Sequence, residues 1–216
     1  NYAAMKRNGY RWWKSRLRFA LSRYDYLRID HFRGLDRYWA IPNGEKTING
    51  EWEKADGFDV LKNIPNNRLI AEDLGVIDDG VINLMKRLDL RGMKVLLFAF
   101  NGDKNNPYLP HCYDKNTIVY TGTHDNSPTP LWVKEASDGV REYTEKYFGV
   151  SNSAELVAAM IRGGMGSVAR LFVAQLQDHL GLAEGSRVNI PGQPYGNWQW
   201  RLDKNTDLFA IAPALY

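Results

Sequence analysis

The chain has 216 residues, of which 44% are hydrophobic and 12% are aromatic, as is typical of a globular protein with one sizeable core and not of a disordered or fibrous chain. Its 28 basic and 25 acidic residues are interspersed and leave a formal net charge of +3, so the charge gives no reason to expect a nucleic-acid partner. A single cysteine, Cys112, cannot form an internal disulfide and indicates a reducing compartment, and no apolar run of about 18 residues predicts a membrane span.

Helices and strands are predicted to alternate along the chain. A basic amphipathic helix over residues 11–23, with a solvated charged face, leads into a first strand over residues 26–31. A loop of more than 30 residues follows, and loops of that length inside compact domains are usually functional. A second strand over residues 68–72 ends this loop and precedes a helix over residues 79–88, which Asp78 or Asp79 can cap.

The later part of the chain continues the alternation. The predicted elements are, in chain order, a strand over residues 94–100, a strand over residues 117–121, helical sequence over residues 131–148, a helix over residues 153–161 that Gly163 and Gly164 terminate, a helix over residues 167–180 that ends on Gly181, and a weak strand over residues 187–190.

The first four strands each end in a polar cluster followed by a long loop. In a parallel α/β barrel the active site lies at the carboxyl ends of the strands. A complete barrel needs eight strands and about 250 residues, whereas this chain offers five strands at best. We therefore predict an α/β fold, a partial (β/α)8 TIM barrel with later strands and helices only. Residues 1–216 are then the carboxyl-terminal portion of a larger barrel, and its amino-terminal half is the missing partner.

Two clusters offer carboxylates at the ends of adjacent strands. Alternate side chains of a strand share a face, so Arg28 and Asp30 are expected to point together, although a plain structural ion pair is an equally good interpretation. Glu72 ends the second strand between apolar neighbours, where a carboxyl group is expected to keep a proton and act as a general acid. A solvated or helix-capping acid is the alternative for Glu72, and it is the better interpretation for Asp73.

The third cluster follows the fourth strand. There Asp125 can accept hydrogen bonds from sugar hydroxyls and His124 can donate one, although such a pair in a loop is more often structural. The four histidines show no metal-ligand spacing, so no metal is expected.

The combination of these clusters is more specific than each cluster alone. Two carboxylates on neighbouring strand ends can reach the separation of about 5 to 5.5 Å that double displacement at an anomeric carbon requires. A sugar ring also needs apolar faces to stack on. Core packing is the usual role of any single tryptophan, but five are predicted in or near the loops past strand ends: Trp39, Trp52, Trp132, Trp198 and Trp200.

Eight short motifs then point to one family. They are RIDHFRG from Arg28, YWAIP from Tyr38, AEDLG from Ala71, GMKVLLFAF from Gly92, NPYLPH from Asn106, YTGTHDN from Tyr120, LQDHLGL from Leu176 and NWQWR from Asn197. In order and spacing the chain resembles glycoside hydrolase family 77, the 4-α-glucanotransferases, over nearly its whole length. It resembles only the later part of that family's barrel.

The resemblance implies roles for the acids. Asp30 would be the nucleophile that forms a β-glucosyl-enzyme intermediate, Glu72 the acid and then the base, and Asp125 the residue that binds the 2- and 3-hydroxyls of the distorted sugar. Further substrate-binding candidates in the motifs are Arg28, His31, Trp39, His124, Asn126, Asn197 and Trp198. Some positions depart from the family pattern, among them Ser127 after Asn126 and Leu97 where glutamine is usual.

The expected function is therefore transfer of an α-1,4-glucan segment from a donor to a sugar acceptor, with no cofactor, in the cytoplasm or a plastid stroma. An α-glucan hydrolase is the nearest alternative. A glucan-binding protein without catalysis, or an inactive fragment, is the alternative from another class.

Overall fold

The computed structural model of the chain describes residues 1–214. These residues form two compact units, residues 1–93 and the residues from Lys94 onward. Among the described residues, no helix combines the length and the hydropathy that crossing a bilayer would need.

The first unit contains four helices and four strands. They are α1 (Tyr2–Arg7), α2 (Arg11–Leu21), β1 (Leu27–Ile29), β2 (Arg37–Ala40), β3 (Glu51–Lys54), α3 (Gly57–Leu61), β4 (Leu69–Ala71) and α4 (Asp79–Leu88). Strands β1 and β4 are parallel, with Leu27 opposite Leu69 and Ile29 opposite Ala71. The residues that follow these two strands therefore emerge side by side at one end of the pair.

A buried apolar core supports that strand pair. Its most deeply buried members, each 0% exposed, are Phe32, Val60, Leu61, Leu69, Ala71 and Val81. Helix α4 contributes its inward stripe to this core, and its amino terminus is capped as predicted, since the Asp78 carboxylate accepts the backbone N–H groups of Gly80 and Val81. Local signals were sufficient to predict both the bounds and the buried face of this helix.

The long loop between the first two predicted strands is more ordered than expected. It contains the antiparallel hairpin of β2 and β3 and the short helix α3. Trp39 and Trp52 face each other across the hairpin. The prediction of a loop throughout this stretch was wrong, because the strands are only four residues long and their alternation is interrupted by charged residues.

The second unit contains a three-stranded sheet and four helices. The sheet has the order β5 (Met93–Val95), β6 (Ile118–Tyr120) and β7 (Leu171–Val173), and β5 begins at the last residue of the first unit. Strands β6 and β7 are parallel. The helices are α5 (Thr129–Glu135), α6 (Asp138–Phe148), α7 (Ser153–Met165) and α8 (Leu176–His179).

Three predicted elements of this unit are shorter or interrupted. The third strand ends at Val95, after which residues 96–98 form a 3-10 turn. The helical stretch over residues 131–148 is split at Ala136, whose extended backbone is held by a hydrogen bond from the Arg141 guanidinium to its carbonyl oxygen, 2.7 Å. The weak strand over residues 187–190 does not form. The carbonyl of Asn189 accepts a hydrogen bond of 2.9 Å from the Arg187 side chain, within the same segment, where a strand would use it to pair with a neighbour.

Two further predictions were wrong in type. Gly163 and Gly164 do not end α7, which continues to Met165. The glycines serve packing instead: without a Cβ atom they let the rings of Phe148 and Phe172 approach the helix closely. The helix predicted over residues 167–180 is instead strand β7 followed by the single turn α8. Seven strands are thus present in residues 1–214, against five at best in the prediction.

Candidate active site

Asp30 lies directly after β1, with its side chain 61% exposed. Arg28 approaches it from two positions earlier on the same face: Arg28 Nη2 lies 2.8 Å from Asp30 Oδ1, which confirms the predicted pairing. The guanidinium is itself held by an N–H to sulfur contact of 3.4 Å from its Nε to Met93 Sδ. A cavity of about 460 Å³ opens beside the pair, with most of its lining contributed by α2. The carboxylate is therefore oriented and reachable.

Glu72 lies directly after β4, on the neighbouring strand. Its backbone N–H donates to the carbonyl of Ile29 at 3.0 Å, and its carbonyl accepts from Phe32 N–H at 3.2 Å. These two bonds extend the parallel pairing of β1 and β4 past the last strand residues. They fix Glu72 opposite the segment that contains Asp30.

The Glu72 side chain is also held by backbone donors. Its Oε2 accepts from His31 N–H at 2.7 Å and its Oε1 accepts from Leu74 N–H at 2.9 Å. Because His31 follows Asp30 directly, the structure brings the two acids together at one end of the strand pair, as the sequence predicted. The bonds also define one orientation of the Glu72 carboxyl group.

His31 contributes through its backbone. Its φ of 48° lies in the left-handed region, which is unfavourable for a residue with a Cβ atom. This conformation turns its N–H toward Glu72 while its side chain is exposed. A strained backbone next to two paired acids is typical of a functional site.

Arg33 was not predicted as a site residue. Its guanidinium donates to the carbonyl of Val76, lies 3.5 Å from the Asp78 carboxylate and stacks 4.7 Å from the ring of Trp52. Trp52 in turn makes an edge contact with Trp39, at 5.4 Å between ring centroids. Arg33 therefore links the β2–β3 hairpin to the loop that follows Glu72. Its partners are far from it in the sequence, so no local pattern predicts these contacts.

In the second unit, Asp125 lies in the loop between β6 and α5. Its side chain is 46% exposed, and its Oδ1 accepts a hydrogen bond of 2.5 Å from Asn189 Nδ2. His124 Nε2 lies 3.4 Å from the same oxygen. The structure thus brings these two predicted residues together and adds Asn189, which the sequence reasoning missed.

Arg187 is the second missed residue near Asp125. It donates to the backbone carbonyl of Asp125 at 2.6 Å and to Ser127 Oγ at 3.2 Å. Ser127 donates in turn to Glu135 Oε2 at 3.0 Å. The serine that departs from the family pattern is therefore part of the bonding that holds the loop.

The predicted asparagines make their bonds to neighbouring loop residues. Asn126 Oδ1 accepts from the backbone N–H of Thr123 at 2.8 Å and from its hydroxyl at 3.0 Å. Asn197 bonds to both backbone groups of Ile190, at 2.9 Å and 3.2 Å, and to the carbonyl of Gln193 at 2.9 Å. Both side chains shape the loops in which they lie.

The predicted tryptophans occupy different settings. Trp198 is 56% exposed, has a φ of 64° and lies 5.1 Å from the His124 ring, so its indole is available next to Asp125. Trp39 and Trp52 lie in hairpin strands and are 39% and 53% exposed. Trp132 lies near the start of α5, after the loop that follows β6, and packs on Phe100 with 6.0 Å between ring centroids.

Comparison with known proteins gives a consistent result. A family model described as 4-alpha-glucanotransferase, glycoside hydrolase family 77, matches residues 1–206. The chain is 41% identical over 211 residues to a chloroplastic/amyloplastic 4-alpha-glucanotransferase of Solanum tuberosum, covering 95% of this chain and 37% of that protein. It is 38% identical over 222 residues to a 4-alpha-glucanotransferase of Clostridium butyricum, covering 100% of this chain and 46% of that protein.

Solved structures agree with the fold. The amylomaltase from Streptococcus agalactiae in complex with acarbose has a TM-score of 0.90 at 31% identity and covers 99% of this chain and 45% of its own. The amylomaltase from Corynebacterium glutamicum, with a TM-score of 0.74 at 20% identity, covers 90% of this chain and 34% of its own and shows likeness of fold. The predicted fold class, part of a TIM barrel, is confirmed. The chain spans less than half the length of each of these relatives.

Proposed function

The chain belongs to glycoside hydrolase family 77, the 4-alpha-glucanotransferases, and from that membership we propose that it carries the working carboxylates of a retaining glucan transferase. The proposed reaction moves an α-1,4-glucan segment from one maltooligosaccharide to the 4-hydroxyl of another. The observation that supports the proposal is the placement of Asp30 and Glu72 directly after the parallel strands β1 and β4, at the same end of the strand pair.

Asp30 is proposed as the nucleophile. Its carboxylate oxygen attacks the anomeric carbon while the bond from that carbon to the glycosidic oxygen breaks, which leaves a glucosyl ester on Asp30. The 2.8 Å contact with Arg28 supports this role, since a guanidinium favours the ionised form of a carboxylate that must attack. The exposure of the Asp30 side chain leaves room for the sugar.

Glu72 is proposed as the acid and then the base. Its proton passes to the departing glycosidic oxygen, and its carboxylate later takes the proton of the acceptor hydroxyl. The acceptor oxygen then attacks the anomeric carbon while the bond from that carbon to the Asp30 oxygen breaks, which releases the Asp30 carboxylate. The backbone N–H groups of His31 and Leu74, at 2.7 Å and 2.9 Å, support the second half of this cycle. They are placed to hold the ionised carboxylate after its proton has left.

Asp125 is proposed to bind hydroxyl groups of the reacting sugar, with His124 as a second polar contact and Trp198 as a stacking surface. The exposed half of the Asp125 side chain and the ring of Trp198 beside His124 support these roles. For Asn126 and Asn197 we propose a positioning role, because their amide groups bond to loop residues. Trp39 remains a candidate aromatic surface.

The protein as a whole is proposed to be longer than the described barrel segment. The relatives from Solanum tuberosum and Clostridium butyricum are matched over 37% and 46% of their length, so further strands are proposed to complete the barrel. One relative is named as chloroplastic/amyloplastic and another is bacterial, which supports a plastid or cytoplasmic location. No metal or organic cofactor is part of the proposed chemistry.

Incubation of the complete protein with maltotriose tests the proposed function. A transferase gives glucose together with a ladder of shorter and longer oligomers, whereas a hydrolase gives only shorter products. Asp30→Asn and Glu72→Gln are each expected to lower the rate by at least about 1,000-fold, because each removes a group that acts in the bond-breaking step. The matched control is Asp25→Asn, which changes an exposed acid before β1 and is expected to leave the rate unchanged.

The same variants separate the alternative from another class. A glucan-binding protein without catalysis would bind maltooligosaccharides in isothermal titration and give no ladder with any variant. Full transfer activity of Asp30→Asn, with a melting curve like that of the unsubstituted protein, would contradict the assignment of the nucleophile.

A further inference from the structure

Asp178, in α8, is a buried carboxylate outside the groups assigned above. The residue is 3% exposed. Oδ2 accepts a hydrogen bond of 2.5 Å from the Thr121 hydroxyl, and Oδ1 accepts one of 2.6 Å from the backbone N–H of Thr129. Neither donor carries a charge. A carboxylate this deeply buried depends on such bonds, since burial without them is strongly unfavourable.

The two donors stand at the two ends of the loop that carries Asp125. Thr121 follows the last residue of β6, and Thr129 is the first residue of α5. One carboxylate therefore joins the start and the end of the loop, although it lies 57 and 49 residues away from them in the chain. Loop closure of this kind restricts the positions that Asp125 can adopt.

The neighbouring Gln177 holds the segment on the other side of Asp125. It is 4% exposed, and its Nε2 donates to the carbonyl of Ser186 at 3.0 Å. Ser186 immediately precedes Arg187, which bonds to the Asp125 backbone, and Asn189 follows two positions later and bonds to the Asp125 carboxylate. The single turn α8 thus contacts both of the segments that hold Asp125.

We infer that Gln177 and Asp178 are positioning residues that fix the Asp125 carboxylate from both sides. The inference rests on the proposed function, in which Asp125 binds the reacting sugar. Both side chains are buried, so they act through the loop of Asp125 and through residues 186–189. A displaced Asp125 would bind the distorted sugar of the transition state less well, which lowers the rate of the chemical step more than it weakens substrate binding.

The test substitutes the partner of Asp178. Thr121→Val keeps the side-chain volume and removes the hydroxyl that donates to Asp178, whereas Thr121→Ser keeps the hydroxyl and removes a methyl group. Thr144→Val is the matched control: Thr144 is likewise 0% exposed in the same unit, but its hydroxyl bonds to Val140 within α6. Gln177→Met is the second variant, and it probes residues 186–189 independently.

Two readouts are taken on the complete protein. In the maltotriose assay we expect Thr121→Val to lower kcat about 10- to 100-fold with KM changed less than about threefold, and Thr121→Ser to restore most of the loss. In hydrogen exchange followed by mass spectrometry we expect faster exchange over residues 121–129 in Thr121→Val. For Gln177→Met the faster exchange is expected over residues 183–190. Thr144→Val should show neither change.

The outcomes distinguish this inference from the proposed function. If the unsubstituted protein makes no ladder but the loop exchanges faster in Thr121→Val, the proposed function fails and the positioning contact stands. If Thr121→Val and Thr144→Val have the same kcat, or if Thr121→Ser loses as much as Thr121→Val, the inference is wrong. Unchanged exchange over residues 121–129 in Thr121→Val would also overturn it.

Discussion

Asn189 donates a hydrogen bond to the Asp125 carboxylate, with 2.5 Å between Asn189 Nδ2 and Asp125 Oδ1. An amide donor at this distance both orients the carboxylate and avoids placing a second negative charge beside it. The bond spans 64 positions of the chain. It therefore connects two segments that must be placed by the fold before the contact can form.

The charge of this partner gives a first prediction. Asn189→Asp is expected to lower transfer activity at neutral pH about tenfold more than Asn189→Ala, because a second carboxylate would repel Asp125. Activity of the aspartate variant should rise relative to the alanine variant as the pH falls toward 5, when one acid of the pair takes a proton. The rate with maltotriose as a function of pH measures this, and equal losses in the two variants would contradict it.

Tyr10 provides a prediction about stability. The residue is 3% exposed, and its hydroxyl donates to the Asp56 carboxylate. Burial, together with this hydrogen bond, raises the pKa of the Tyr10 hydroxyl above its ordinary value. Tyr10→Phe is expected to lower the free energy of unfolding by about 1 to 2 kcal/mol at pH 7, as removal of a hydrogen bond to a charged group does.

The raised pKa also sets the pH dependence of that difference. Below pH about 10 the hydroxyl is protonated in both the folded and the unfolded chain, so the contribution of Tyr10 is fully present. Above pH about 10 the unfolded tyrosine ionises first, and the contribution is lost as the pH rises toward the folded pKa. Urea titrations measure the difference in free energy of unfolding between the unsubstituted protein and Tyr10→Phe. This difference should be smaller at pH 10.5 than at pH 7, and an equal difference at both pH values would contradict the assignment.

Sequence reasoning located the acids of the site better than their partners. Arg28, Asp30 and Glu72 could be predicted because alternation along a strand and position at a strand end are local properties. Asn189 and Arg187 could not, because their bonds to the Asp125 segment depend on how distant loops fold. Neither residue type is distinctive by itself in a loop.

The same distinction applies to the helices and strands. Helix α4 was predicted over its observed bounds because its cap at Asp78 and its apolar stripe both lie within the helix. The prediction failed for β7, whose three residues are ordered by pairing with β6, more than 50 positions earlier. Short strands of this kind are stabilised by contacts that periodicity does not reveal.

The glycines of α7 give a prediction at this scale. A Cβ atom on Gly164 would lie 2.2 Å from the Phe172 ring of β7, so Gly164→Ala is expected to lower the free energy of unfolding by about 1 to 3 kcal/mol. The matched control is Gly139→Ala in α6, where the added Cβ would meet no atom within 4 Å apart from the neighbouring backbone of its own helix. The control should be stabilised by about 0.5 to 1 kcal/mol, as alanine in a helix usually is.

Chemical denaturation of both glycine variants provides the measurement. We expect the free energy of unfolding to fall in Gly164→Ala and to rise in Gly139→Ala. A stabilised Gly164→Ala variant would mean that α7 does not pack against β7 as closely as described.

For the molecule as a whole, the central question is how much of the barrel is needed for function. The chain spans 37% and 46% of two of its relatives, and among residues 1–214 strands β1 and β4 form a two-stranded sheet. A sheet of so few strands can add strands from another chain. The fold class could be predicted from the polar clusters at the strand ends. For the completeness of the barrel, the sequence offered only a count of predicted strands to compare with the eight of a full barrel.

This leads to a prediction for the isolated chain. Residues 1–216 alone are expected to give no oligosaccharide ladder from maltotriose and to associate with rising concentration, because the two-stranded sheet of β1 and β4 can add strands from another copy. Light scattering and product chromatography, run beside the complete protein, measure both properties. A monomeric chain that produces the ladder by itself would show that the described residues suffice for catalysis.

The most direct test of the central claim is covalent capture of the sugar on Asp30. The complete protein is treated with a glucosyl fluoride that has a second fluorine on its sugar ring. The fluoride at the anomeric carbon is the leaving group, and the second fluorine slows breakdown of the intermediate. The peptides of the treated protein are then examined by mass spectrometry. We expect one added fluoroglucosyl unit on the peptide that contains Asp30, and none in Asp30→Asn. Label on a peptide without Asp30, or turnover of maltotriose by a protein that never takes up the label, would contradict it.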